Sequence, residues 1–514
     1  MSANVSFDPT TEHGSPAELQ PRTADSAIAF LSATEAVAAF RSGELAPSEL
    51  MMATRSMIET TNGDRCSGIN AFTETMLAEA TQAARRADDQ YASARRSRTA
   101  TPPLLGIPVA TKEKHGIAGR TIEQGLAACR GQIANAHHPI VERILTAGGI
   151  IHGRTTSPEF SCATMTHSPM WGVTRNPWLP SATPGGSSGG AGAALAAGMA
   201  TLATASDIAG STRIPAGFTG TVGYKAPYGR IPALPPLSAD WYRGDGPMAR
   251  TVADAALLAA VMSGRHPADH GSWGPAGRRP DTVPSLGAEG VRGLRIGLSV
   301  DLGDYPVAPS VRTNTEAVAT ALAAAGAEIV LVDLPWTTAR IARTIFAHFG
   351  HILGPAMASL TAGTEDQLAA YTSRFIVDAA HAAGGVSLPE SLALDAQLQA
   401  ELATAMDGLN ALLTPTQAVE MLTADGDYLD GIDVTDPAAP DGVRRLGHYW
   451  EAHMTSPFNV ANRCPVLSVP SGVSSVGVPT GVQVVAQPFD EDMAFRIGAA
   501  IEALTPMPAF PGQL

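Results

Sequence analysis

Two loops of the sequence carry the residue types of a nucleophilic active site. The first reads Gly-Gly-Ser-Ser-Gly-Gly at 185–190, and the second reads Asp-Ile-Ala-Gly-Ser-Thr-Arg at 207–213. A serine hydroxyl attacks a carbonyl carbon when a base takes its proton, and glycines let a ligand approach the main chain closely. The two loops together predict an acyl-transfer site that contains Ser187 and Ser211.

The segment between the two loops brings their ends together. The Ala-rich stretch Ala191–Ala200 predicts a helix that rises ~15 Å, and Thr201–Ser206 predicts a strand that returns ~20 Å. Ser211 is therefore expected beside Ser187. The backbone amides of residues 208–211 can then face a developing oxyanion, a contact worth ~3–4 kcal/mol per donor in known hydrolases.

The base for such a serine is predicted to be Lys112. It follows a short apolar strand, Leu104–Ala110, and precedes a second lysine, Lys114. Burial lowers the pKa of a lysine by up to several units, so a desolvated Lys112 is neutral and can accept a proton near pH 7. The charge of Lys114 acts in the same direction.

The motifs around these residues resemble those of the amidase signature family. The two serine loops carry the resemblance, the second continuing through Ile214-Pro215, and Gly-Ile-Pro-Val-Ala-Thr-Lys at 106–112 is similar to the lysine strand of that family. Further motifs occur in family order through most of the chain: Ile69–Phe72, Ala147–Gly149, Glu159-Phe160, Asn176–Trp178, Gly223–Lys225, Leu413–Thr416 and Gly481–Gln483.

The resemblance implies a fold and a set of roles. The implied fold is α/β, a central mixed β-sheet covered on both sides by α-helices. Ser211 resembles the nucleophile, Ser187 the bridging serine that follows a cis peptide at Gly186, and Lys112 the general base. The amides of Ile208, Ala209, Gly210 and Ser211 resemble the oxyanion hole, and no cofactor or metal is implied.

Three positions depart from the usual pattern of the family. Ala209 stands where glycine is usual, Tyr224 where leucine is common, and Ala226-Pro227 where Pro-Thr is common. Alanine keeps its N–H but restricts the backbone and the room beside it. We expect Ala209 to affect which substrate shapes the site accepts more than it affects activity.

Other patterns in the sequence favour structural roles. Gly185-x-Ser187-x-Gly189 also fits the nucleophile elbow of α/β-hydrolases, but residues 176–184 contain three prolines and cannot form the strand that the elbow requires. Two histidine pairs, His266/His270 and His348/His351, lack the glutamate of His-Glu-x-x-His and are interpreted as surface or core residues. Asp207 and Arg213 are interpreted as partners that fix the second loop.

The order of elements predicts one domain preceded by a flexible N-terminal tail. Residues 1–25 are interpreted as a flexible tail and 26–514 as a single domain. Within it, 26–100 form a mainly helical wrapping, 101–260 the catalytic core, 265–293 a Pro/Gly-rich surface connection, and 294–505 a second half with variable pocket segments.

Several helices and strands are predicted from local patterns. Predicted helices begin at Ser32 and near Ser48 and span Thr73–Arg96 and Ile140–Ala147, the last followed by a strand at 149–153. A βαβ unit is predicted from Leu294–Val300, Ser310–Ala325 and Glu328–Val332.

Composition restricts the class of protein and its partners. With 514 residues, 45% of them hydrophobic, the chain can bury a large core. A net charge of −14 argues against direct nucleic-acid binding, which requires cationic side chains. Four scattered cysteines and the absence of an apolar leader or an 18-residue apolar run indicate a cytoplasmic protein outside the membrane.

The sequence thus predicts a hydrolase of a small amide or carbamate, such as an aryl acylamide or urethane. A second hypothesis is the glutamine-hydrolysing A-type subunit of a tRNA-dependent amidotransferase, and a third is a non-catalytic binding relative. The pocket is expected from Cys162–Val173 and Thr416–Phe458, whose Met421, Tyr428, Tyr449 and Trp450 suit a bulky group or form core. The oligomeric state, including a homodimer, stays open.

Overall fold

The computed structural model describes residues 24–64, 67–275, 287–436 and 439–513. Nearly all of the predicted N-terminal tail, Cys66 and the middle of the 265–293 connection lie outside the described residues. In the described part of the chain, no helix is long and apolar enough to cross a membrane.

A large mixed sheet forms the centre of the molecule. It has 11 strands in the order β1-β3-β2-β6-β8-β7-β14-β15-β11-β9-β10. The strands of the chain are β1 Phe72–Thr75, β2 Pro108–Lys112, β3 Ile150–Thr155, β4 His167–Ser168, β5 Gly172–Val173, β6 Leu202–Asp207, β7 Val222–Lys225, β8 Gly244–Ala249, β9 Arg295–Leu298, β10 Glu328–Leu331, β11 Ala411–Pro415, β12 Ile432–Thr435, β13 Val443–Leu446, β14 Val466–Val473 and β15 Pro479–Ala486. Strands β3, β2 and β6 pair in parallel, as do β11, β9 and β10, whereas β8, β7, β14 and β15 pair antiparallel.

Helices flank this sheet. They are α1 Ala24–Ala29, α2 Ala33–Ser42, α3 Pro47–Thr61, α4 Leu77–Ser97, α5 Pro139–Thr146, α6 Gly189–Ala196, α7 Arg213–Thr219, α8 Val252–Met262, α9 Pro309–Ala324, α10 Thr338–Ile352, α11 Gly354–Thr361, α12 Ala370–Gly385, α13 Leu388–Ala405, α14 Pro457–Val460 and α15 Glu491–Leu504. The fold is thus the α/β arrangement, a mixed sheet between helices, that the sequence predicts.

Most predicted elements are found close to their expected positions. The capping box at Ser32 begins α2, and Gly43 in the left-handed conformation ends it. The β9-α9-β10 unit is parallel as predicted. Two predictions were wrong at their ends. Residues 73–75 belong to β1, which pairs with β3, and are not helical. Strand β2 begins at Pro108, because residues 103–106 form a turn.

The two faces of the sheet pack against different helices, and this packing decides where Lys112 points. Val109 of β2 packs in the cluster that contains α8 and α15, whereas Ala110 packs with the alanines of α6. Side chains alternate along a strand, so Lys112 lies on the same face as Ala110. It therefore points toward the beginning of α6, where Ser187 lies.

Candidate active site

Lys112 lies at the end of β2 in full burial, with three serine hydroxyls around its amine. Its Nζ is 2.6 Å from Ser187 Oγ, 3.0 Å from Ser188 Oγ and 3.1 Å from Ser206 Oγ. Burial, reinforced by the nearby positive charges of Lys114 and Arg243, lowers the pKa of Lys112 well below its usual range. Burial therefore favours the neutral form of the amine.

The hydrogen-bonding groups around this amine indicate which of the three serine hydroxyls can donate a proton to it. A neutral amine has two N–H groups and one lone pair. The Ser188 hydroxyl can donate its proton to the carbonyl of Ser206, 3.5 Å away, so it accepts from Nζ, and Ser206 Oγ can accept the second N–H. In the neutral form the lone pair can accept the proton of Ser187, whose contact with the amine is the shortest of the three.

The structure brings Ser211 beside this pair. The Gly186–Ser187 peptide is cis, as the resemblance implies. The amide of Ser188 donates to the carbonyl of Ser211 at 3.2 Å, which ties the two loops together. Ser187 and Ser211 line the same cavity, and no hydrogen bond from Ser211 Oγ to another side chain occurs in the described chain. The Ser211 hydroxyl is thus available to a bound molecule.

A buried ion pair fixes the loop that carries Ser211. Arg213 donates to the Asp207 carboxylate through Nε at 3.0 Å and Nη2 at 2.9 Å, and both side chains are fully buried. Burial alone would raise the pKa of Asp207, but Arg213 and a hydrogen bond from Asn459 lower it to about 2. Asp207 and Arg213 therefore hold the loop, as the sequence predicts.

The direction of the backbone amides in this loop differs in part from the expectation. The Gly210 amide donates to Asp207 Oδ1 at 2.7 Å, and the carbonyl of the same peptide, at Ala209, accepts from Thr455 Oγ1 at 2.6 Å. Gly210 has φ +126°, and a Cβ at this position would overlap the Thr455 side chain, so only glycine fits. The Gly210 amide is thus engaged away from the site, whereas those of Ile208, Ala209 and Ser211 have no acceptor among the described residues.

A buried group that the sequence did not single out supports the end of β2. His115 Nε2 lies 3.1 Å from Asp245 Oδ1, and His138 Nε2 lies 3.5 Å from Asp245 Oδ2. Burial lowers the pKa of both imidazoles, that of His138 to about 3, so both are neutral and can direct an N–H toward the carboxylate. His115 Nδ1 contacts Thr204 Oγ1 at 2.8 Å, and this hydroxyl accepts from the Lys112 amide at 3.0 Å. These polar contacts connect the group to the end of β2.

Three of the four histidines in the two pairs have a polar partner elsewhere in the described chain. His348 Nε2 lies 2.8 Å from Asp240 Oδ1, and His351 Nε2 donates to the carbonyl of Val386 at 2.7 Å. His266 Nε2 lies 3.3 Å from Glu142 Oε2. These contacts agree with the structural interpretation of the pairs.

The cavity in front of Ser211 has one polar side and one apolar side. Its volume is about 200 Å³, larger than a cavity of about 150 Å³ that holds benzene. Lys114, Gln124 and Arg243 form part of the polar side. Most of the apolar lining comes from α10 to α12 and from one aromatic ring beyond them: Phe349, Leu353, Ala356, Met357, Leu360, Phe375 and Trp450. Phe160, Ile208, Pro236 and Leu237 complete it.

Only a small part of the cavity lining lies in the pocket segments predicted from the sequence. Cys162 and Trp450 come from the predicted segments, whereas Met421, Tyr428 and Tyr449 do not line the cavity and pack in or against the core. The α10–α12 contribution was missed. A signal was present in α10, where Phe346 and Phe349 lie on an apolar face, but the pattern does not show whether such a face meets the core or a cavity.

Comparison with known proteins agrees with this geometry. The Amidase family model matches residues 62–495. The chain is 32% identical to the A-type subunit of glutamyl-tRNA(Gln) amidotransferase from Mycobacterium ulcerans (strain Agy99), over 91% of this chain and 96% of that protein. Among solved structures, it is similar to 6-aminohexanoate cyclic dimer hydrolase complexed with substrate, with a TM-score of 0.75 and 27% identity over 93% and 98% of the two chains.

A further solved structure shares the fold at lower identity. It is a bacterial aryl acylamidase of the amidase signature enzymes, with a TM-score of 0.80 and 24% identity over 93% of this chain and 96% of that one. The serine loops, the lysine strand, the mixed sheet and the match over most of the sequence lead to one conclusion. The chain belongs to the amidase signature family.

Proposed function

We propose that this protein hydrolyses the carbon–nitrogen bond of a small amide or carbamate through an acyl-enzyme on Ser211. The observation that carries the proposal is the 2.6 Å contact between Ser187 Oγ and a fully buried Lys112 amine whose pKa is strongly lowered. A neutral lysine that accepts a serine proton is a general base, and the cavity beside it exposes the Ser211 hydroxyl.

In the first half of the reaction, Ser211 Oγ attacks the carbonyl carbon of the substrate. The proton of Ser211 passes to Ser187 Oγ, and the proton of Ser187 passes to the lone pair of Lys112. The carbonyl oxygen gains the negative charge. The unengaged amides of Ile208, Ala209 and Ser211 are the donors available to it, each worth about 3–4 kcal/mol in known hydrolases.

In the second half, the carbon–nitrogen bond breaks. The proton on Lys112 returns through Ser187 to the leaving nitrogen, which departs as a neutral amine. Water then attacks the acyl group on Ser211, with Lys112 taking its proton through the same serine. Release of the acid restores the Ser211 hydroxyl and the neutral amine, and these steps need no cofactor.

The test is labelling of the purified protein with a fluorophosphonate, combined with turnover of anilides, primary amides, carbamates and glutamine. Wild type is expected to be labelled and to hydrolyse members of the panel. Ser211→Ala is expected to lose both, and Lys112→Ala to lose most turnover. Ser161→Ala, which changes another serine lining the same cavity, is the matched control and is expected to keep the label. Full labelling of Ser211→Ala would overturn the assignment of the nucleophile.

The second candidate function is the glutamine-hydrolysing subunit of a tRNA-dependent amidotransferase. The 32% identity to the A-type subunit of glutamyl-tRNA(Gln) amidotransferase favours it. The apolar wall of the cavity argues against it, because glutamine offers no large apolar group to cover Phe349, Phe375 and Trp450. Turnover of glutamine in preference to every other amide, together with co-purification of partner subunits, would favour the amidotransferase.

A further inference from the structure

Two cationic side chains on the polar side of the cavity lie beside the proposed nucleophile. Lys114 follows Lys112 by two positions at the end of β2, and Arg243 precedes β8, which pairs with β6. Both line the cavity that contains Ser187 and Ser211. Because they come from separate loops, their convergence at this place is a feature of the tertiary structure.

Neither cation has an acidic partner. No ion pair and no side-chain hydrogen bond of Lys114 or Arg243 occurs between residues that the structure describes. The Nε atom of Arg243 is buried and has no hydrogen-bond acceptor. A buried guanidinium donor without an acceptor is unfavourable, which is the state expected of a binding group before its ligand arrives.

The acidic groups near Lys114 and Arg243 are already engaged with other partners. Asp245 is the acidic residue that acts on both cations, and its carboxylate already contacts His115 and His138, which are neutral. Burial and the charge of Arg243 lower the pKa of Lys114 to about 7. Glu113 also acts on Lys114, but its carboxylate already accepts the amides of Glu123 and Gln124. A bound carboxylate would favour the charged form of Lys114 and give the Arg243 guanidinium an acceptor.

We infer that Lys114 and Arg243 form a subsite for a carboxylate of the substrate, so that the amide cleaved at Ser211 is an anionic one with an apolar group. This rests on the proposed function. The planar guanidinium offers parallel N–H groups to a carboxylate, and an ammonium adds a point charge. The apolar group lies against the wall of Phe349, Met357 and Trp450 on the other side.

Two arrangements of the substrate satisfy this chemistry. In an N-acyl amino acid, the carboxylate leaves with the amine. In the monoamide of a dicarboxylic acid, it stays on the acyl-enzyme. Both present one carboxylate and one apolar group on opposite sides of the scissile bond, and the experiment distinguishes them.

The experiment compares two matched pairs of substrates with the full-length enzyme. The first pair is N-benzoylglycine and N-isobutylbenzamide, and the second is succinanilic acid and 4-methylpentananilide. Each neutral member replaces the carboxylate by an isopropyl group of similar shape. In wild type, kcat/KM of the anionic member is expected to exceed that of its neutral partner at least tenfold in one pair, and that pair identifies the side of the carboxylate.

Variants then connect the preference to the two cations. In Lys114→Met and in Arg243→Met, the anionic-to-neutral ratio is expected to fall toward one, while Lys114→Arg and Arg243→Lys retain most of it. The ratio is the readout because loss of a nearby charge also shifts the pKa of Lys112, and this shift affects both members of a pair alike.

A second measurement does not depend on turnover. Benzoylglycine is expected to slow fluorophosphonate labelling of Ser211 more than its neutral partner does at equal concentration. Wild-type ratios at or below one in both pairs, or equal protection by both compounds, would overturn the carboxylate subsite and leave the amidase proposal intact. Absence of both labelling and amide turnover would instead overturn the proposed function itself.

Discussion

Replacement of Ser187 by alanine removes the hydroxyl that, in the proposed mechanism, receives the proton of Ser211 and passes its own to Lys112. The substitution abolishes the 2.6 Å hydrogen bond to Lys112 Nζ, and positioned general acid–base catalysis contributes about 10²–10⁴-fold to rate. At 1.36 kcal/mol per factor of ten, the barrier rises by about 3–5 kcal/mol. We therefore expect kcat/KM for a neutral anilide to fall by about 10²–10⁴-fold.

Ser188→Ala is the matched control for this change. Its hydroxyl also contacts Lys112 Nζ, at 3.0 Å, but it does not line the cavity and its proton is directed to the carbonyl of Ser206. Its loss removes one neutral hydrogen bond to the base, worth about 1 kcal/mol, and two longer hydrogen bonds to the backbone of Ser206 that do not involve the base. We therefore expect less than about a tenfold effect on kcat/KM.

The assay is steady-state release of aniline, with circular dichroism and thermal unfolding to show that both variants are folded. The reasoning predicts a large effect for the first serine and a small one for the second. Equal losses in Ser187→Ala and Ser188→Ala would refute the assignment of protons around Lys112. A Ser187→Ala rate within threefold of wild type would refute the relay as a whole.

Three further predictions concern the loop and the base. Asp207→Asn breaks a fully buried ion pair and is expected to lower the free energy of unfolding by about 3–5 kcal/mol, measured with urea. Asp433→Asn breaks an ion pair whose acid is 62% exposed and is expected to cost under about 1 kcal/mol; equal costs would contradict the argument. Because the pKa of Lys112 is lowered by burial and its neutral form is the base, kcat for a neutral amide is expected to rise with pH and reach its plateau well below 10.5, so an inflection near 10.5 would show an ordinary lysine. Thr455→Val removes the 2.6 Å hydrogen bond to the Ala209 carbonyl, and we expect kcat to fall while KM changes little. A raised KM at unchanged kcat would instead indicate a role in substrate binding.

The sequence predicted the fold class and most elements because these depend on local patterns. The capping box of α2, the Ala-rich α6 and the βαβ unit are each determined by residues close together in the chain. The failures occurred at boundaries. Thr73–Thr75 has no helical or strand preference strong enough to decide, and its pairing with β3 made it a strand.

The candidate site likewise has parts that short motifs predict and parts that distant contacts decide. Lys112, Ser187 and Ser211 could be named from the sequence because each lies in a short motif, and the β-α-β path between them constrains where they meet. The amide of Gly210 could not be oriented, because its peptide is fixed by Asp207 and by Thr455, a residue 246 positions away from Ala209.

The sequence by itself determined the chemistry of the loops around Lys112, Ser187 and Ser211, because residue type and short-range spacing specify strand ends and helix beginnings. The tertiary structure alone decided what faces those loops. The apolar wall of α10–α12 and the cation pair Lys114 and Arg243 lie together only after the sheet is assembled. Long-range packing sets the charge and shape of a cavity, and a sequence pattern contains no information about which distant side chains meet there.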